Sequence, residues 1–351
     1  MTNRDLAAQL NISPTALSMI LNHKPGISEA TRSRVLQQIR EMGYGNRIKE
    51  VRQTPPDATT DSMYDDTGQI CLIIYKRDGN ILGQHPYFLL LLESITQRAE
   101  QYGYHVTLMT IDRRDSNPAE QIERWNSSRI RGILLFATEM KPEDIEPFSA
   151  LRIPYVAMDH NFSNQAVNTV AIDNDMGTFQ AIRHLFSMGH RKIGYLKSNV
   201  EISSFQERSA GYQRTVRNFG MELNPILPVP YSEEESYQAF RKFLQKSPTL
   251  PTAFVSDDDT IAIGVLRALL ESGVRVPEDV SLVGFNDRPS CVQTTPTLTT
   301  VQVPRTSFAF EAVDMLLKLV HQRESEIAAS TTKLRIGTQL IIRDSVFQIE
   351  A

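Results

Sequence analysis

The chain has 351 residues, 41% hydrophobic and 22% charged, which is enough apolar material for two or three packed domains and excludes a disordered polymer. Its formal charge is -4, unevenly spread: residues 1–53 carry eight Lys or Arg against four Asp or Glu, a net of +4, and the remainder is net -8. A small basic module on an acidic body suits a protein that meets phosphate at one end only. Two cysteines, Cys71 and Cys291, are too few for a disulfide framework or a thiolate zinc site and read as buried small hydrophobes. The polar N-terminus is no signal segment, and no apolar run reaches the roughly 18 residues of a membrane span, so a cytoplasmic protein without a membrane partner is expected.

In chain order, residues 2–22 read as a helix-turn-helix. Thr2 caps a first helix, with Asp5 three residues on, and Leu6, Ala7 and Leu10 recur on one face. Ser13 followed by Pro14 starts a second helix, since a serine hydroxyl caps orphan N–H groups and proline is tolerated at the first helical position. Ala16, Leu17, Ile20 and Leu21 face inward there, leaving Thr15, Ser18, Met19 and Asn22 outward. Small and polar side chains suit a helix laid in a major groove; an ordinary helical hairpin is the alternative. Ser28 caps a third helix, Glu29 to about Met42, which Gly43 ends. Residues 46–69 are rich in Pro, Thr and Asp and describe an exposed linker.

The body opens with QICLIIY and alternates strand-like runs with helical segments: HVTLMTI, GILLFA, IPYVAMD, TVAID, KIGYLKS, AFVSD and VSLVGFND are the strands. Helices are expected over PYFLLLLESITQRAEQYGY, from about Met176 to Met188, through Ser209 to Phe219 and from Thr260 to Ser272. This is an α/β fold with doubly wound parallel sheets, in which ligand contacts lie beyond the carboxyl ends of the strands. Those ends are Asp112, Asp159, Asp173, Asp257 and Asn286. Signals for catalysis are poor: the chain has no GxSxG, no Walker loop, no GxGxxG opening a helix after a strand and no HExxH. His184 and His190 are six apart, which is not a one-face metal spacing, and Asp257, Asp258 and Asp259 read as caps of the following helix rather than metal ligands. No enzyme activity, metal or cofactor is expected.

Several strings, in this order, resemble the LacI/GalR family of bacterial transcription regulators: DLAAQLNISPTALSMILN with HKPGISEATRSRVLQQIREMGY, then AIDNDMG, HLFSMGHRKIGYL, ERSAGYQ, VSDDDTIAIGVLRALLESGVRVPEDVSLVGFND and TTPTLTTVQVP. The resemblance covers nearly the whole chain. It implies a DNA-binding headpiece over residues 1–46, a hinge or linker over 47–68 and an effector-binding and dimerisation domain over 69–351. The last is expected to resemble a periplasmic sugar-binding protein, with one lobe from about 69–167 and 295–329 and the other from about 170–291 and 331–346. Three crossovers then fall near Val167 to Val170, Cys291 to Thr295 and Ala328 to Thr331. No leucine heptad follows the final strand, TQLIIRDS, so a homodimer is expected rather than a coiled-coil tetramer.

By the same resemblance, Thr2, Ser13, Ser18, Asn22, His23, Ser28 and Thr31 match headpiece positions that meet double-stranded operator DNA, chiefly at phosphates, and Pro14, Thr15 and Met19 match those that read base edges. Met19 departs from the arginine that relatives often carry, and cannot pair bidentately with guanine; either it reads an atypical operator or it packs on its own helix. The linker lacks the family's minor-groove leucine; either Ile48 or Val51 substitutes, or no hinge helix forms. Arg208 matches the cleft arginine, whose fork suits paired hydroxyls or a carboxylate, and Asp159 and Asp257 match other cleft positions. Asn286 stands where many relatives have aspartate, while Tyr87, Phe88, Phe162 and Tyr231 are either stacking faces for a pyranose or lobe core. The expected effector is a sugar or sugar derivative. The alternatives are a non-sugar ligand such as a purine, a sugar-binding transport protein with no DNA role, and an enzyme on an α/β scaffold.

Overall fold

Strands with no polar face set the architecture. Six consecutive residues of Gln69–Lys76 (β1) are buried, as are all four of Thr169–Ile172 (β5) and of Ala253–Ser256 (β8), which requires helices on both sides of a parallel sheet. In the computed structural model the described residues are 68–79, 87–114, 117–322 and 330–349, with residues 10, 12, 13, 16, 17, 20, 31 and 35 nearer the N-terminus. The chain divides into two units, Met1–Met63 and Tyr64–Ala351.

In the first unit, Ala16 N–H donates to Ser13 Oγ at 3.0 Å and Leu17 N–H to the Ser13 carbonyl at 3.0 Å, so Ser13 caps the second helix as its sequence context predicts. Leu10, Leu17, Ile20 and Val35 are buried. Thr2, Pro14, Thr15, Ser18, Met19, Asn22, His23 and Ser28 lie outside the described residues, as does the linker with Ile48 and Val51.

The second unit holds two six-stranded sheets. The first has the order β11-β5-β4-β3-β1-β2 and the second β12-β10-β9-β8-β6-β7. Their strands are His105–Asp112 (β2), Ile130–Phe136 (β3), Tyr155–Met158 (β4), Ile193–Ser198 (β6), Ile226–Val229 (β7), Ser281–Asn286 (β9), Thr299–Gln302 (β10), Lys333–Ile336 (β11) and Gln339–Ile341 (β12), with β1, β5 and β8 above. All pairings are parallel except β10 with β12. Helices Tyr87–Gln101 (α1) and Arg305–His321 (α7) cover one face of the first sheet, burying Leu91, Ile95, Phe308 and Leu316 against Leu72 and Leu134. Pro118–Asn126 (α2) and the 3-10 segment Pro142–Ala150 cover the other, where Trp125 and Phe148 pack on Cys71 and Ile73. The second sheet lies between Asn174–Ser187 (α3) with Ser203–Asn218 (α4), and Glu233–Leu244 (α5) with Asp259–Glu271 (α6). Both cysteines are buried, as expected, and burial pushes the Cys71 thiol up to about 12.

The lobe boundaries differ from those the sequence suggests. β5 pairs with β4 and β11 in the first sheet, so the first crossing comes at Asp173 and not at Val167 to Val170. β10 pairs with β9 in the second sheet and α7 packs on the first, so the second crossing falls at Val303 and Pro304 rather than Cys291 to Thr295. Lys333–Ile336 belongs to the first sheet, which moves the third from Ala328–Thr331 to Gly337 and Thr338. The Thr- and Pro-rich stretch at 293–298 has the composition of a connection, yet it is a turn inside the second lobe. Helices α2, α5 and α7 and strands β7, β10 and β11 add to the elements expected.

Candidate ligand cleft

The carboxyl ends of β3, β4, β6, β8 and β9 carry the polar residues between the lobes. Three non-glycine residues there, Asp159 (φ 64°), Asn286 (φ 111°) and Asp287 (φ 52°), adopt the left-handed region, a costly backbone that persists only where neighbours fix it. They do: Arg305 Nη2 donates to the carbonyls of Asn286 at 2.8 Å and Asp287 at 2.9 Å, and Arg343 Nη2 to Asp287 Oδ1 at 2.6 Å. A cavity of about 290 Å³ lies between Asp78, Glu139 and Lys141 of the first lobe and residues 199–202 of the second. Glu139 is held there by the backbone N–H groups of Arg77, Asp78 and Gly79, all donating to Oε2.

Arg208, on α4, is buried and lies flat against the Phe285 ring, 3.7 Å from its centroid. Its Nε donates to Asn174 Oδ1 at 2.8 Å, Nη1 to the Asp257 carbonyl at 2.5 Å and Nη2 to Asn286 Oδ1 at 3.5 Å. Across the cleft, Thr138 Oγ1 donates to Asp159 Oδ2 at 2.6 Å. Burial pushes Asp159 up to about 6, against the pull of Thr138 and Arg208. Glu207, beside Arg208, ties the lobes together: it accepts from Asn161, from Asn174 at 2.9 Å and from both Nη atoms of Arg335 on β11 at 3.2 and 3.3 Å.

The aspartate triplet divides its labour. Asp257, a predicted cleft residue, instead turns into the second lobe, where Oδ1 accepts from Tyr195 Oη at 2.5 Å and Oδ2 from Ser198 N–H at 2.6 Å. Both oxygens are taken, so Asp257 has no face for a ligand. Asp259 is equally occupied, by Thr300 Oγ1 at 2.5 Å and Arg288 N–H at 2.8 Å. Asp258 faces the cleft and caps α6, accepting from Thr260 N–H at 2.8 Å, which the capping reading anticipates. It also accepts from Arg288 Nε and Nη2, both at 3.0 Å, from Asn286 Nδ2 at 2.5 Å and from Tyr231 Oη at 3.4 Å.

Burial pushes Asp257 and Asp259 each up to about 7, whereas Arg288 helps hold Asp258 below the usual carboxylate range, against its burial. A carboxyl raised in the fold stabilises fully below its unfolded value near 4 and loses that contribution as pH climbs through its folded value. Wild type is therefore expected to lose stability relative to Asp257→Asn between about pH 4 and pH 7, read from urea midpoints; parallel profiles would show that Asp257 does not titrate this way.

Among the predicted effector residues, Arg208, Asn286 and Tyr231 come together in the second lobe, and Asp159 stands opposite them. Phe162 is 1% exposed and stacked on His160 at 3.9 Å, so its ring is lobe core and offers no stacking face. Tyr231 presents its hydroxyl to Asp258 and Arg288 while its ring packs near Phe205. Tyr87 and Phe88 open α1, and their side chains lie outside the described residues. Of the other strand ends, Asp173 caps α3 and Asp112 is clamped by Arg114. Asp258, Arg288 and Glu207 are the cleft residues that sequence reasoning misses. Arg288 carries no sequence signal of its own, and it follows a left-handed turn at Asn286 and Asp287.

A sheet pair crossed three times by one chain, with polar groups at the strand ends between the lobes, defines a two-lobed binding protein. Residues 182–346 match the periplasmic binding protein-like domain family. Over 354 residues the chain is 26% identical to the HTH-type transcriptional repressor PurR of Haemophilus influenzae, covering 99% of each. In structure it is similar to the CelR–cellobiose complex of a transcriptional regulator (TM-score 0.67, 22% identity, 98% of this chain and 99% of that one). It is also similar to a lac repressor dimer bound to operator and the anti-inducer ONPF (TM-score 0.68, 21% identity, 80% and 94%). Over nearly its whole length the chain is thus similar in sequence to PurR-type repressors and in fold to LacI-type regulators.

Proposed function

We propose that the chain is a transcriptional repressor that binds operator DNA as a homodimer through residues 1–46 and is controlled by a sugar or sugar derivative held between its lobes. Residues 47–68 link the headpiece to the effector domain. The observation that carries the effector reading is the buried Arg208 fork, spread over Phe285 and Asn286 with Asp159 across the cleft. The DNA reading rests on the basic N-terminal module, on the Ser13-capped helix and on relatives named as repressors along their whole length. Ligand-linked closure of the lobes would couple to DNA affinity by about 1–3 kcal/mol, the range typical of such linkage.

A gel shift with the DNA flanking the protein's own gene tests the reading. Specific retention is expected, and Thr15→Ala should weaken discrimination among operator variants more than Ser28→Ala, since base contacts specify and phosphate contacts position. Loss of all sequence preference in the wild type would leave only a sugar-binding protein, and equal losses in the two variants would overturn the assignment of Thr15.

A further inference from the structure

We propose that the effector is a polyol carrying an anionic group, a carboxylate or a phosphate, and that Arg288 is the residue in the cleft that selects it; this rests on the reading of the cleft as the effector site. The two walls of the cleft differ in their free donors and acceptors. A neutral sugar is gripped by carboxylates that accept from its hydroxyls, and the cleft carboxylates described on the second lobe are already engaged: Glu207 accepts from Asn161, Asn174 and both Nη atoms of Arg335. Asp257 and Asp259 have both oxygens engaged inside the protein. Asp258 already receives five donors, from Thr260, Asn286, Tyr231 and twice from Arg288, against about four lone-pair sites.

What this wall offers is N–H. Arg288 uses Nε and Nη2 on Asp258, and Nη2 also reaches Tyr231 Oη at 3.1 Å, while its Nη1 has no hydrogen-bond partner among the described residues and is not sealed from solvent. The guanidinium is held at one end by a bidentate pair, its side chain 11% exposed, which fixes the direction of the free end. Arg208 stands one residue away, linked through Asn286, which bonds both Arg208 and Asp258. Two guanidinium groups thus stand side by side on this wall, and only Arg288 has a carboxylate partner, Asp258, whereas Arg208 is bonded to amide and carbonyl oxygens. An acceptor-rich anion matches that surplus of donors and of charge.

The opposite wall has the reverse character. Asp159 uses one carboxylate oxygen on Thr138, and its Oδ1 has no donor among the described residues, so it can accept from a hydroxyl of the same molecule. Donors on one lobe and an acceptor on the other divide the ligand into an acidic end and a hydroxylated end.

The test is a thermal-shift titration of the full chain at constant ionic strength with matched pairs: glucose against glucuronate and glucose 6-phosphate, ribose against ribose 5-phosphate, with inorganic phosphate and hypoxanthine alongside. The acidic members are expected to raise the melting temperature saturably and their neutral partners not. Arg288→Met alone would strand Asp258, so the paired variant Asp258→Asn/Arg288→Met, which keeps a capping side chain and leaves no unmatched charge, is the one to compare. It should lose about 10- to 100-fold in affinity for the acidic ligand, the worth of a hydrogen bond to a charged group. A shift by glucuronate alone assigns a carboxylate, one by the phosphates alone a phosphate, and both outcomes support the proposal. A glucose, ribose or hypoxanthine shift that survives the paired change but is lost in Arg208→Met would overturn it while leaving the cleft as effector site. No shift by any anion would also overturn it, and retained operator binding would then keep the regulator reading.

Discussion

Replacing Asp258 by alanine is expected to lower the stability of the effector domain by about 3–5 kcal/mol, seen as a fall in urea midpoint at unchanged slope. The carboxylate is 1% exposed and its partner Arg288 11%, so neither is bathed in water that could replace the other. Removing the anion leaves a buried guanidinium with no counter-charge within hydrogen-bond reach. Asp258 also caps α6, and loss of a cap costs about a further 1 kcal/mol. The paired change with Arg288→Met should be milder than Asp258→Ala alone, since it removes the stranded charge as well. If the single variant unfolds at the wild-type midpoint, Arg288 is solvated in the native protein and the pair is a surface one.

The second large effect is expected at Gly264, where α5 and α6 cross. A Cβ built there would lie 2.0 Å from Ser236 Oγ, 2.4 Å from the Glu233 carbonyl oxygen and 3.0 Å from Tyr237 N. Two of these are backbone atoms and cannot rotate aside, so the helices must part and the packing of Tyr237 and Phe240 on Ile261 and Val265 loosens. Helix propensity alone would favour alanine by about 1 kcal/mol. Overpacking a core costs about 1–3 kcal/mol, and backbone contacts this close put Gly264→Ala at the upper end, a net loss. Adding Ser236→Ala should recover only part, because the Glu233 carbonyl stays. A midpoint equal to or above wild type would mean that the helices sit farther apart.

Much of this architecture is written locally. The apolar runs of β1, β3 and β8 and the Ser13 cap of the second helix are decided by residues close in sequence, and they appear in the structure where expected. Lobe membership is not local. β5 is a short apolar strand like any other and β11 carries two charged residues in four, and only their mutual pairing places both in the first sheet. The repeat of Phe308, Ala309, Ala312, Val313 and Leu316 marks a helix, yet nothing in it says that the helix returns to the first lobe. The site divides the same way. The cleft arginine is legible from ERSAGYQ, but three adjacent aspartates look alike until backbone direction decides that Asp257 turns inward and Asp258 outward. Arg288 is invisible as well, carrying no sequence signal of its own and following two left-handed residues.

The three crossings carry a consequence for synthesis. The face of the first sheet that holds Leu72 and Leu134 is closed by α7, and its edge beside β5 by β11, both of which leave the ribosome after the whole second sheet except β12. Until then α1 alone covers that face, and a nascent chain presents the part that α7 will close to its surroundings, the kind of surface that chaperones retain and that drives aggregation. Neither lobe is a unit that can finish before the other. A chain ending anywhere before Arg305 carries a first lobe that cannot close, so shortened products of this gene should be cleared or insoluble rather than half-active.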